Sequence, residues 1–262
     1  MNIVTYEEVQ GIKFPVNPIV KYMSVYIYYI DGLLIDTGPR LGKRKLAKIY
    51  KDWDINQVAI THYHSDHTGM VKWLERHKKL DIFCSEETIH IVNHRWELST
   101  FEKLFSTRFN GRVYEDMLRT PNFSFIPIKT PGHTDDHTAL YEPNKGWLFT
   151  GDLYVSPFPK VCLKEESISD YISSLDQLTK LDVSTIFCAH EGIISNGKKM
   201  LKKKHMYLEK MRNEVVRLHG LGFDDRAIVK KLLPDKVKLE VLTFGSFSRL
   251  HFVRSCYRDL EK

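Results

Sequence analysis

Four short, apolar, β-rich runs in this 262-residue chain each end in a histidine or an aspartate. QVAIT (57–61) runs into THYHSDHTG, which carries His62, His64, Asp66 and His67. FSFIPIKT (123–130) is followed by His133, GWLFT (146–150) by Asp152, and STIFC (184–188) by His190. Side chains at strand ends project from one edge of a sheet, and the loops there carry function. A lone histidine is usually a polar surface residue or a satisfied core one. Four strand ends with the same chemistry call for a fold that brings them to a common edge.

The rest of the pattern alternates strands with helices as far as residue 195. VYIYYIDGLLID (25–36) reads as two strands joined at Asp31-Gly32, since glycine accepts the positive φ that a tight hairpin needs. Residues 43–51 and 70–80 have helical spacing, 81–85 reads as a strand, and 86–119 is helical in pattern and rich in aromatics: His90, His94, Trp96, Phe101, Phe105 and Phe109. Strands return at 138–143 and 146–152 around a turn at Asn144-Lys145-Gly146, and a helix covers 169–180. From Asn196 onward the pattern is all helix. One long helix over 198–219 is closed by Gly220. A second, capped by Asp224, runs to Leu233 and is stopped by Pro234. A third is capped by Ser246 and continues through Leu260. The expected architecture is an α/β body, residues 1–195, with a small all-α C-terminal unit, residues 196–262.

Charge follows the same division. The net charge is +6, but residues 196–262 hold 17 Lys+Arg against 8 Asp+Glu, whereas residues 1–195 hold 22 against 25. A basic tail can attract an anionic partner, nucleic acid included; a set of solvated helix faces explains it more simply. Leu201, Leu208, Met211, Val215 and Leu218 form an apolar stripe, which either packs on the body of a monomer or joins two copies in a homodimer. No apolar run approaches membrane-spanning length. The opening MNIVTYEEVQGIKF lacks a basic stretch followed by an apolar one, so no secretory leader is read there. Cys84, Cys162, Cys188 and Cys256 are scattered, which fits free thiols in a reducing cytoplasm.

His62, His64, Asp66, His67, His133, Asp152 and His190 supply five imidazoles and two carboxylates, an inventory for two divalent ions. This donor set suits Zn, and Fe or Mn also fit. A carboxylate has two oxygens and can bridge, which makes Asp152 the natural shared ligand between ions about 3.5–4 Å apart. Asp66 is also the candidate catalytic residue. No Gly-x-Gly-x-x-Gly or Walker loop is present to hold a nucleotide cofactor.

THYHSDHTG resembles the His-x-His-x-Asp-His signature of the metallo-β-lactamase superfamily. TPGHT (130–134), TGD (150–152), AHEG (189–192) and LIDTG (34–38) are similar to its other motifs, in the same order. Met70 stands where a second glycine is common. The resemblance covers roughly residues 20–195 and implies a four-layer αββα sandwich with the metals at one edge. It assigns His62, His64 and His133 to one ion, Asp66, His67 and His190 to the other, and Asp152 to both. Asp36 would support the metal loop from behind.

The resemblance also implies hydrolysis of an ester-like bond in a small-molecule thioester or lactone, or in a phosphodiester. Asp152 stands where the β-lactamases with a cysteine ligand carry that cysteine. His64 stands where the flavodiiron branch has a glutamate. TPGHTDDHTAL is similar to a lactamase-like subfamily with a C-terminal helical unit, which includes an endoribonuclease acting on single-stranded RNA. The stretch LYVSPFPKVCLKE (153–165) lacks the Cys/Gly/Arg-rich character of the glutathione-thioester enzymes. Iron-dependent persulfide dioxygenases share much of the scaffold and stand as an alternative, and so does a non-catalytic binding protein that keeps the fold. Tyr154 is placed either to hold a lactone carbonyl or to pack. His137 and Asp136 are expected to be structural, and Cys188 to be a buried strand residue rather than a ligand.

Overall fold

The structure, a computed structural model, describes residues 2–16, 24–94 and 107–260. The chain divides into two compact units. The first comprises residues 1–129, 136–152 and 183–197; the second comprises 130–135, 153–182 and 198–262. The helices after residue 196 therefore share a unit with 153–182, so the compact units cut the chain elsewhere than the sequence pattern does.

The first unit is built on two sheets. One contains β1 (Asn2–Tyr6), β2 (Val9–Pro15), β3 (Ser24–Ile30), β4 (Leu33–Ile35), β5 (Gln57–Ala59), β6 (Asp81–Cys84) and β7 (Arg112–Val113), in that spatial order. β1 to β4 pair antiparallel; β4 to β7 pair parallel. The β3–β4 hairpin turns at Asp31 and Gly32, both with positive φ (49° and 87°), as the Asp-Gly pair predicts. The second sheet has the order β13 (Gly192–Ser195), β12 (Thr185–Cys188), β11 (Trp147–Gly151), β10 (Thr138–Glu142), β9 (Ser124–Lys129), β8 (Leu118–Arg119). Its β11–β12 pair is parallel, so both strands deliver their C-terminal ends, and hence Asp152 and His190, to one edge.

The two sheets pack face to face. Tyr28, Ile30, Leu33 and Ile35 of the first meet Phe125, Leu140, Phe149 and Phe187 of the second in one buried cluster. Phe149 and Phe187 stack at 4.5 Å, and Tyr28 sets its ring edge against both while its hydroxyl donates to the Cys188 carbonyl at 2.8 Å. Burying side chains of this size stabilises by roughly 1.5–3 kcal/mol each. The other face of the first sheet is covered by helices. Leu46 and Tyr50 of α1 (Lys43–Asp52) and Val71, Trp73 and Leu74 of α3 (Val71–His77) pack with Ile27, Val58 and Ile82. The short α2 (Ser65–Thr68) lies between them in sequence and carries Asp66 and His67.

The second unit contains α5 (Ile168–Thr179), capped by the Ser167 side chain, and four helices towards the C-terminus. These are α6 (Gly197–Gly220, whose first residue belongs to the first unit), α7 (Asp225–Leu232), α8 (Lys238–Leu242) and α9 (Arg249–Ser255). Asp224 caps α7 as expected, accepting from the Ala227 N–H at 2.8 Å. The apolar stripe of α6 is buried within the chain, so it is not an exposed face waiting for a second copy.

Several expectations are corrected. Among the described residues of 86–119, helix is found at α4 (Glu86–His94); Trp96, Phe101 and Phe105 lie outside the described residues. Arg112–Val113 and Leu118–Arg119 are strands, because each finds an open edge, on Phe83–Cys84 and on Ser124–Phe125. The long helix runs through Gly220, and the glycine that closes it is Gly222 rather than Gly220. Gly222 is left-handed (φ 85°), and the Phe223 and Gly222 N–H groups reach back to the Leu218 and His219 carbonyls. The last helix is capped by Ser248, not Ser246. Ser248 pairs as a bridge with Cys162, which holds it extended and delays the helix start, and α8 precedes it unexpectedly. The short edge strand β13 adds a strand beyond those the sequence pattern predicts.

Candidate metal centre

The cluster begins with a strained aspartate. Asp36 sits just beyond β4 in the left-handed region (φ 59°), where a non-glycine residue needs outside support. Its Oδ1 accepts the Thr61 N–H at 2.9 Å, and its Oδ2 accepts from His67 Nδ1 at 2.7 Å. Thr37 next to it donates through both N–H and hydroxyl to the His67 carbonyl at 2.7 Å, and Tyr50 donates to the Thr37 carbonyl. LIDTG thus grips α2 and fixes the His67 ring, the supporting role expected of Asp36.

With its Nδ1 proton given to Asp36, His67 turns Nε2 towards Asp152 Oδ1 (3.4 Å) and Asp66 Oδ2 (3.8 Å). That nitrogen is fully buried and has no hydrogen-bond partner among the described residues. A buried polar atom of this kind is costly unless something meets it, by about 1–3 kcal/mol. His190 repeats the arrangement: Nδ1 donates to the Ser24 carbonyl at 2.7 Å, and Nε2 faces Asp152 Oδ2 at 3.0 Å and Asp66 Oδ2 at 3.9 Å. On the other side of Thr61, whose hydroxyl lies 3.0 Å from His62 Nδ1, His62 Nε2 comes within 3.0 Å of His64 Nδ1. Two ring nitrogens so close share either a proton or a cation.

The ligand atoms of Asp66, His67 and His190 lie within 4.8 Å of one another, and so do those of His62, His64 and Asp152. Six of the seven residues read from sequence are thus brought together in the first unit. The seventh, His133, is buried in the second, where its Nδ1 meets Glu166 Oε1 at 2.7 Å. The ring orientations fit ligation, since each of His67, His190 and His133 commits Nδ1 to an acceptor and leaves Nε2 for another partner.

Charge supports this fit. Burial alone would lower the His67 pKa, but the carboxylates of Asp36, Asp152 and Asp66 hold it well above the usual imidazole value. Burial acts the same way on His190, and Asp152 outweighs it, raising the pKa to about 9. Burial would raise the Asp152 carboxyl, whereas His190 and His67 pull it well below its ordinary range. The carboxylates therefore draw positive charge to the positions that the nitrogens face, which is the environment a divalent cation needs.

His137 is buried, and its Nε2 accepts the Asp152 N–H at 3.2 Å, so it positions the backbone of the shared aspartate. Asp136 accepts the Thr88 hydroxyl at 2.6 Å and ties α4 to the sheet. Cys188 is fully buried in β12, and Tyr154 is buried in the second unit. Two supports were not legible in sequence: the Ser24 carbonyl and Glu166. Neither belongs to a motif, and Glu166 is one acid within the run Lys164-Glu165-Glu166. Burial pushes the Glu166 carboxyl up from its ordinary value, against the pull of His133 and Lys204.

Gly151 gives the site a sensitive hinge. It is left-handed (φ 46°), and a Cβ there would stand 2.7 Å from His137 Nε2 and 2.9 Å from the Thr61 side chain. Gly151→Ala is expected to cost about 2 kcal/mol or more in stability through the strained backbone and the clash. It should also weaken metal retention by moving Thr61 and Asp152. Unfolding in urea and metal content after dialysis measure the two effects, and a variant matching wild type in both would contradict the geometry.

Comparison with known proteins agrees with this picture. The metallo-beta-lactamase superfamily matches residues 22–190. The chain is 26% identical over 264 residues to "Probable metallo-hydrolase YqjP" of Bacillus subtilis, covering 80% of this chain and 78% of that protein. It is 26% identical over 249 residues to a hydroxyacylglutathione hydrolase of Methylobacillus flagellatus, covering 91% and 88%. The crystal structure of the metallo-beta-lactamase family protein TTHA1429 of Thermus thermophilus superposes with a TM-score of 0.73 at 19% identity, over 98% of this chain and 94% of that one, which shows a common fold. Together with the His/Asp cluster, these matches establish the chain as a member of the metallo-β-lactamase superfamily and a metal-dependent hydrolase.

Proposed function

We propose that the chain is a binuclear hydrolase of small-molecule thioesters. The motifs assign His62, His64, His133 and Asp152 to one ion, and Asp66, His67 and His190, with Asp152 shared, to the other. The observation that carries the reading is the buried His67 Nε2, aimed at Asp152 Oδ1 at 3.4 Å and Asp66 Oδ2 at 3.8 Å. Zinc suits the imidazole-rich set best, and Fe or Mn fit the same donors. When bound, such a pair of cations supplies a hydroxide near neutral pH and polarises the carbonyl under attack. Asp36, Ser24 and Glu166 hold the imidazole rings with Nε2 inward. Asp66, the more exposed of the two donor carboxylates, takes the proton of the attacking water and returns it to the departing thiolate.

The thioester class is supported by hydroxyacylglutathione hydrolases among the relatives, one of which spans 91% of this chain. Residues 153–165 lack the Cys/Gly/Arg-rich character of enzymes that bind glutathione, so we assign the acyl group to another thiol carrier, acting in the cytoplasm. In this reading residues 1–195 are the catalytic part and 196–262 an appended helical part.

A second reading, cleavage of single-stranded RNA, draws on the basic residues after 196. Many of these are already engaged. Arg212 pairs with Asp259, Arg217 with Glu214, Arg249 with Glu240 and Arg254 with Asp225, Arg258 donates to two carbonyls, and Lys204 is buried. A phosphate backbone would meet mainly the exposed lysines.

The test is a substrate panel on zinc-loaded protein: an acyl-coenzyme A, an acyl lactone, an aryl phosphodiester and a short single-stranded RNA. Thioester cleavage with no RNA cleavage is expected. RNA cut in the absence of thioesterase activity would establish the second reading. Oxygen uptake with a persulfide and one iron per chain would replace hydrolysis altogether.

A further inference from the structure

The Glu166 carboxylate belongs to neither donor group, yet it is buried and takes the Nδ1 proton of His133 at 2.7 Å. The segment around it is held from the far C-terminus. The Glu166 carbonyl accepts from Ser255 Oγ at 2.6 Å and from Arg258 Nη2 at 3.0 Å. Arg258 Nη1 donates to the Lys164 carbonyl at 2.7 Å, and Ser255 Oγ accepts the Ile168 N–H at 2.9 Å. On its other side the same segment holds the loop of His133. The Ser167 N–H donates to the Gly132 carbonyl at 2.8 Å, and Ser174 Oγ donates to the Pro131 carbonyl at 2.7 Å. A chain of short contacts thus runs from residues 255–258 through Glu166 to His133, all within the second unit.

We propose that Glu166 is the positioning residue of His133, and that Ser255 and Arg258 extend this hold to the C-terminal helices, which makes the appended helices part of the support of a metal ligand. The proposal rests on the assignment of His133 as a ligand made above. Its physical basis is tautomer control. An imidazole whose Nδ1–H is committed to a carboxylate presents a lone pair at Nε2, and the charge-assisted bond makes that lone pair more basic. Arg258 is exposed, but its guanidinium is spent on two main-chain carbonyls, so its contribution is to fix backbone rather than to meet a substrate. The C-terminal helices thereby gain a role that requires no anionic partner.

The test uses the full-length protein. Zinc affinity is measured by competition with a chromophoric chelator, and the cobalt-substituted visible spectrum is recorded, for wild type, Glu166→Ala, Glu166→Gln and Arg258→Ala. Wild type is expected to hold two ions. Glu166→Ala should release one of them roughly 10–100-fold more readily and leave the other unchanged. Glu166→Gln, which keeps an acceptor without the charge, should fall between the two and shift the cobalt band of one ion. Arg258→Ala should weaken the same ion by a smaller factor. If Glu166→Ala does not fold, the glutamine and Arg258 variants decide, with melting curves as the control. Two ions in wild type, with affinities and spectra unchanged in every variant, would overturn the positioning role alone. A wild type that binds no metal would overturn the metal reading and this proposal with it.

Discussion

Asp152→Ala is expected to lower turnover by roughly 10³-fold or more while the chain still folds. Asp152 presents one oxygen towards His67 at 3.4 Å and the other towards His190 at 3.0 Å, and it shares a ligand cluster with His62 and His64. Among the described residues, no other side chain has an atom in both donor groups as we assign them. A correctly placed cation pair contributes several kcal/mol of transition-state stabilisation, and each 1.36 kcal/mol is tenfold in rate. Losing about 4 kcal/mol of it gives the stated factor. The fold should survive because the Asp152 side chain lies outside both buried apolar clusters, and its N–H keeps the bond to His137 in the variant. Metal content should fall in parallel with activity. Asp152→Asn separates shape from charge: it is nearly isosteric but loses the negative charge that draws both imidazoles, and it should be almost as damaged. Wild-type turnover in either variant, with circular dichroism showing a native fold, would end the assignment.

How much of this was legible in the sequence follows from the range of each interaction. Local chemistry read through well. Asp31-Gly32 specifies its turn, Asp224 its cap, and THYHSDHTG its place after β5, because all three depend on neighbours a few residues away. The convergence of six site residues was also readable, since strands that end in donors have few ways to share an edge. What failed depended on distant partners. Residues 112–113 and 118–119 become strands because a sheet edge is waiting for them. Ser248 displaces Ser246 as a cap because Cys162 holds it extended. Glu166 lies 33 positions from His133, and nothing near it in the chain announces the pairing. The Ser24 carbonyl carries no side-chain signal at all, since its role is performed by backbone 166 positions from His190.

Stripping the metals with a chelator is expected to abolish activity and to lower the melting temperature by about 8–16 °C, with both restored by zinc. A ligand present at a thousand times its dissociation constant stabilises the native state by about 4 kcal/mol. In a chain of this size each kcal/mol moves the melting point by about 2–4 °C. The stripped protein should still fold at neutral pH, and the site explains why. With no cation present, the carboxylates of Asp36, Asp66 and Asp152 keep His67 charged, and His190 holds its proton up to about pH 9. Imidazolium groups then offset the negative charge that the cations would otherwise meet. They do so less completely than two divalent ions, which is why stability falls rather than collapses. Differential scanning fluorimetry before and after chelation, with metal analysis to verify removal, measures the effect. An unchanged melting point and unchanged turnover in verified metal-free protein would mean that these imidazoles and carboxylates serve the fold and not a metal.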